Sequence, residues 1–136
     1  MYYFRNPAAE ISYAETGYIR TDWHLLNASV NEVRGIYEHV LQAMQRYHAT
    51  SLLCVYAHRP TMHKEVEAWL LQNWIPRAVH EAGYHRCAVV EPHATTKQAT
   101  TLAKSLGAGE SLEYELFDSV EEAESWLERT SLVAHP

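Results

Sequence analysis

The sequence predicts an α/β domain in which helices pack against a mixed sheet. Two apolar runs, Leu52-Leu53-Cys54-Val55-Tyr56 and Cys87-Ala88-Val89-Val90, lack polar alternation, the pattern of strands covered on both faces. Between and around such strands lie segments whose apolar residues recur every three or four positions, the period of an amphipathic helix. The third observation is the run from Phe117 to Leu127, where a strand end turns directly into a helix. There Ser119 can cap the helix with its hydroxyl, Glu122 stands three residues on, and Val120, Ala123, Trp126 and Leu127 share one face.

Taken in order, Glu10–Glu15 and Tyr18–Trp23 read as two strands of a hairpin turning at Thr16-Gly17. In the second, Tyr18, Arg20 and Asp22 oppose Ile19, Thr21 and Trp23, so one face is wetter than the other. Met1–Phe4 is a weaker strand pattern. Ser29 and Glu32 form a capping box for a long helix with apolar positions Val30, Val33, Tyr37, Val40, Met44 and Tyr47, ending near His48. Gly35 inside it costs about 1 kcal/mol relative to Ala, which suggests close approach of another element. Ser51–Tyr56 is the first covered strand. A second helix carries Val66, Trp69, Leu70 and Trp74 or Ile75, is interrupted at Pro76 and stops at Gly83. Arg86–Val90 is the next covered strand, ended by Pro92. A helix then runs from Thr95 or Thr96 to Gly107, and Leu112–Phe117 forms a last strand with a solvated face bearing Glu113 and Glu115. The capped helix from Ser119 to about Arg129 closes a single domain over residues 1–130, leaving 131–136 as a loose tail. The predicted order is β-β-α-β-α-β-α-β-α.

A chain of 136 residues with 47% hydrophobic composition can bury a core without disulfides or a structural metal. A formal charge of −6 and the absence of a Lys/Arg run argue against nucleic-acid or anionic-membrane binding. The N-terminus lacks a signal-peptide layout, and no apolar stretch reaches the length that spans a bilayer, so the expected location is cytoplasmic. Cys54 and Cys87 sit inside the covered strands and read as buried, reduced thiols.

Candidate chemistry is sparse. The nine histidines do not sit at ligand spacing: His58 and His63 are five residues apart, as are His80 and His85, so no metal or other cofactor is expected. Ligands of open α/β sheets lie beyond the carboxyl ends of the strands. A polar rim there would draw on His58, Arg59, His93, Thr96, Lys97 and Asp118, and would suit a small anionic ligand. Each has an ordinary alternative as a solvated loop residue, helix cap or snorkelling side chain. The adjacent Glu121 and Glu122 are accounted for by the positive end of a helix dipole. Trp69, Trp74 and Trp126 read as packing residues, with at least one partly exposed.

Three segments together, Trp69-Leu70-Leu71-Gln72-Asn73-Trp74-Ile75-Pro76, Gly83–Val90 and Phe117–Ala123 with Trp126-Leu127, resemble the small stand-alone bacterial domains called STAS-like or SpoIIAA-like. The resemblance covers roughly residues 10–130 and rests on structural motifs. It implies a mixed four- or five-stranded sheet with helices packed on it. It also implies action through contact with a partner protein, as in the anti-sigma-factor antagonists of that family, which a kinase switches by phosphorylating a Ser or Thr where a strand passes into a helix. The matching place here, Ala57–Met62, lacks the family's Asp-Ser pair and Gly, and Thr61 is its one hydroxyl, so Thr61 is both the candidate phosphoswitch and a simple helix cap. The expected function is therefore a non-enzymatic regulatory domain binding a protein partner or a second copy of itself. The alternative is a small-molecule or lipid carrier with a pocket between sheet and helices.

Overall fold

The computed structural model describes residues 2–5, 7–24, 29–56, 64–91 and 112–133. Six strands form one sheet in simple sequential order: β1 (Tyr2–Arg5), β2 (Ala9–Ala14), β3 (Tyr18–Trp23), β4 (Ser51–Tyr56), β5 (Arg86–Val90) and β6 (Glu113–Phe117). The pairs β1–β2 and β2–β3 are antiparallel, and the pairs from β3 to β6 are parallel. The fold class is α/β with a mixed sheet, and among the described residues the strand count is six rather than four or five. The additional strand is β1. A bulge between Tyr2 and Phe4 breaks its alternation and turns both Tyr3 and Phe4 toward the same layer, where Phe4 stacks on His39 at 4.0 Å and Tyr3 meets Tyr47 edge-on at 6.1 Å. That lost alternation is why the sequence signals β1 so weakly.

The hairpin turns as its sequence requires. Gly17, at φ 105°, donates its N–H to the Ala14 carbonyl at 2.8 Å and closes the turn between β2 and β3. Helix α1 (Val30–Tyr47) starts with the full capping box: Ser29 Oγ accepts from the Glu32 amide, and Glu32 Oε1 accepts from the Ser29 amide, both at 3.1 Å. It ends at His48 in the left-handed region. Gly35 does not mark a close approach, because an added Cβ would meet nothing within 4 Å and the residue is exposed.

Helix α2 (Lys64–Trp69) continues through a wider π turn, Leu70–Trp74, into α3 (Ile75–Ala82). The Ile75 amide donates five residues back, to Leu70. Pro76 has no amide to donate, so the break expected at this proline takes the form of the turn that precedes it. The residues turned fully inward are Val66, Leu70, Trp74 and Ala78, spaced four apart. A spacing of four overshoots the 3.6-residue turn by about 40° each time, and a wider turn takes up part of that drift. Gly83, at φ 73°, supplies the left-handed cap of α3, and its amide reaches the Val79 carbonyl.

Because the order β3-β4-β5 never reverses, right-handed crossovers bring α1 and α2–α3 onto the same face. The core there is built on Ile11, Ile19, Leu52, Val40, Met44, Leu70 and Trp74. Helix α4 (Val120–Val133) follows the last strand and covers the other face over β4, β5 and β6, burying Leu53, Ala88, Val90, Ala123 and Leu127. Its first turn is held by Ser119 Oγ, which accepts from the Glu122 amide at 3.2 Å. The helix expected between Thr95 and Gly107 lies outside the described residues, as does the end of the tail. No helix among the described residues is long and apolar enough to cross a membrane.

Since Gly35 is exposed, helical and free of neighbours, Gly35→Ala is expected to stabilise the domain by about 1 kcal/mol. Chemical denaturation measures this directly, and a destabilised variant would show that the position has a packing role.

Candidate functional site

The parallel strands end at Trp23, Tyr56, Val90 and Phe117, and register places Trp23 beside Tyr56 and Val55 in line with Val90 and Phe117. Beyond these ends lies the rim on which the sequence places a polar site. Of its candidates, His58, Arg59, His93, Thr96 and Lys97 lie outside the described residues, as does Thr61. Asp118 follows β6 and is exposed, next to the capping residue Ser119. The sheet also lacks the feature that usually creates a crevice at such a rim. Strands β3 to β5 follow one another without a reversal, so their connections do not diverge to opposite faces.

One residue of this rim was not singled out by the sequence. Glu91, immediately after β5, is buried to 3% exposure, and its backbone amide donates to the Phe117 carbonyl at 3.4 Å. A carboxylate buried at a strand end is unusual enough to be informative. Its signal in the sequence was an acid joined directly to the apolar run Cys87–Val90, ahead of Pro92.

Beneath the rim, on the α1 side, aromatic rings and two thiols pack together. The Trp23 ring lies 5.3 Å from Tyr37 and 6.1 Å from Tyr56, nearly parallel to the latter. Tyr37 also meets Trp74 edge-on at 5.0 Å, and Trp74 meets Tyr84 at 5.7 Å. Cys54 and Cys87 are both buried free thiols. A hydrogen bond to Cys87 and burial together push the Cys54 thiol well above its usual range. Burial likewise raises Tyr37, Tyr56, Tyr84 and Tyr114, and the neighbouring thiols add to the rise. A nucleophilic cysteine needs its thiolate, which this environment disfavours. Two polar atoms on β3, Thr21 Oγ1 and Trp23 Nε1, are buried without a hydrogen-bond partner.

On the opposite face α4 occupies the apolar half of the sheet, and the half formed by β1 to β3 is polar. Arg20 holds Asp22 through two bonds of 2.9 and 3.0 Å, and Arg5 lies 3.3 Å from Glu10. Tyr18 joins the halves by donating its hydroxyl to Glu124 of α4 at 2.7 Å. Burial first, and then that hydrogen bond, raise the Tyr18 hydroxyl far above its ordinary range. At β5 and β6, Arg86 pairs with Glu113 at 3.2 Å and lies over the Trp126 ring at 5.4 Å. Such part-exposed ion pairs contribute little stability each and suit a solvated sheet face.

Of the tryptophans, Trp74 is fully buried, whereas Trp69 and Trp126 are half-buried. No protein-family model matches the chain, and neither a characterised protein nor a solved structure matches it at a significant level.

Two measurements check the interior. Cys54 and Cys87 are expected to be unreactive toward an aromatic disulfide reagent in the native protein at neutral pH and both reactive in denaturant. Prompt reaction of either thiol in the native state would contradict their burial. The tyrosines set the alkaline limit. A group whose folded pKa is raised stabilises the fold fully below its unfolded pKa, and that contribution is lost as pH rises through the folded value. The denaturation midpoint is therefore expected to fall above about pH 10, where unfolded tyrosine ionises, with Cys54 adding its share from about pH 8.5. A midpoint that does not change across that range would show the hydroxyls to be solvated.

Proposed function

We propose that the chain is a STAS-like, SpoIIAA-like regulatory domain that acts in the cytoplasm by protein contact and catalyses no reaction itself. The observation that carries this reading is the fate of the reactive side chains on the covered strands. Cys54 and Cys87 are buried in the core among aromatic rings, and that environment pushes the Cys54 thiol well above its usual range. The mixed sheet with helices on its faces and the strand–cap–helix closure at Phe117–Val133 agree with the architecture the resemblance implies. Against the carrier reading stands the filling of the layer between the sheet and α1–α3, where Trp23, Tyr37, Trp74 and Tyr84 occupy one another's contact distance. In this proposal Thr61 is the residue a kinase would modify, and a phosphate there would change partner affinity through its added charge.

Affinity capture from the native cell, followed by reconstitution from purified components, tests the proposal. A stoichiometric protein complex, or a concentration-dependent homodimer, is the expected result, with Thr61→Ala abolishing any phosphorylation-dependent change in its affinity. A monomer that retains a small molecule through native mass spectrometry and reconstitutes with no protein would contradict it.

A further inference from the structure

Helices α1 and α2 leave an open groove of about 500 Å³ lined by Arg34, Glu65, Ala68, Trp69, Gln72 and Asn73. Its polar groups are unusually uncommitted. The Arg34 guanidinium lies over the Trp69 ring, 5.5 Å from its centroid. Its Nε is buried without a hydrogen-bond partner, and the guanidinium makes no ion pair among the described residues. Stacking on an indole attracts the cation but satisfies none of its five N–H donors. Asn73 accepts from Arg77 Nε at 2.9 Å through its Oδ1, and its NH2 has no hydrogen-bond partner among the described residues. Arg77 itself is neutralised by Glu38 at 2.7 Å, so among the described residues of the groove Arg34 is the cation without an ion pair.

Apolar surface adjoins this charge. Ala68 is exposed and lines the groove. Trp69 is half-buried beside it. A partly desolvated arginine stacked on a tryptophan in one concave patch has the composition of a binding hot spot. A guanidinium binds a carboxylate in a two-bond geometry that lysine cannot match.

We propose that this groove docks a segment of a partner protein that presents an Asp or Glu side chain beside an apolar one. Arg34 binds the carboxylate, the Asn73 and Gln72 amides lie within the same groove, and Trp69 and Ala68 receive the apolar side chain. Glu65 sets the register by disfavouring a second acid at its end of the groove. This assignment rests on the interaction reading above and names the chemistry of the partner.

The test is an array of short peptides in which a central Glu, Lys or Gln is flanked by Leu or Phe, probed with the full chain. Glu-centred peptides are expected to bind, more weakly as salt rises, and Lys-centred and Gln-centred ones to be rejected. Arg34→Gln should weaken binding by about tenfold or more without changing the unfolding midpoint, and Arg34→Lys should recover only part of the loss. Glu65→Gln should bind as well or better. Selection of Lys-centred peptides, no binding by Glu-centred ones, or undiminished binding by Arg34→Gln would overturn the assignment. A cellular partner that binds Arg34→Gln as tightly as the native chain would overturn it too, while leaving the interaction reading intact. A chain that captures no partner yet selects Glu-centred peptides through Arg34 would fail that reading and keep the groove.

Discussion

The contact on which this structure depends most is the burial of Trp74. Its ring is 1% exposed, its Nε1 donates to the Tyr37 carbonyl at 2.8 Å, and it meets Tyr37 and Tyr84 edge-on. One side chain thereby joins α1, the π turn and the residues leading into β5. A buried indole needs a partner for its N–H, and Trp74 finds one on a helix carbonyl, which has a second lone pair to offer. The wide turn at Leu70–Trp74 helps keep Trp74 on the same inward line as Val66 and Ala78. Pro76 makes that turn inexpensive, since the proline has already removed one helical hydrogen bond.

From that packing follows the division of labour between interior and surface. The α1 side of the sheet is given over to rings and thiols, whose burial keeps Tyr37, Tyr56 and Cys54 protonated. On the other side α4 lies over the apolar half, and the antiparallel half carries internally paired charges at Arg5–Glu10 and Arg20–Asp22. The sequential strand order adds a further constraint. Between β3 and β5 the order does not reverse, so among the described residues these strands do not form the kind of crevice that nucleotide-binding α/β domains use. The concave, chemically uncommitted surface lies instead between helices, at Arg34 and Trp69.

Much of the fold was legible because local rules and tertiary packing agreed. The Ser29–Glu32 box, the Gly83 cap and the unbroken apolar runs of β4 and β5 each state their structure within a few residues. Legibility failed where geometry departs from a regular period. The bulge weakened the signal of β1, and Pro76 announced a break without saying that a wider turn would precede it. Gly35 illustrates the reverse error: its cost in a helix suggested a compensating contact, and the structure shows open space around it. For the site, Asp118 is the one predicted rim residue that the described structure contains, and it is a solvated residue beside a cap. Arg34 was invisible because an arginine on an amphipathic helix reads as part of the solvated face. Its position over Trp69 depends on how α1 and α2 pack, which no local pattern encodes.

The most direct test of this account is hydrogen exchange of the Trp74 indole N–H, followed by NMR under native conditions. If Trp74 is the wedge that joins α1, the π turn and β5, its N–H exchanges only when the whole domain unfolds. Its protection free energy then equals the unfolding free energy obtained from denaturant and matches that of the central amides of α1. Exchange through a much cheaper local opening, with α1 still protected, would contradict the account and make the α2–α3 segment a separately mobile layer.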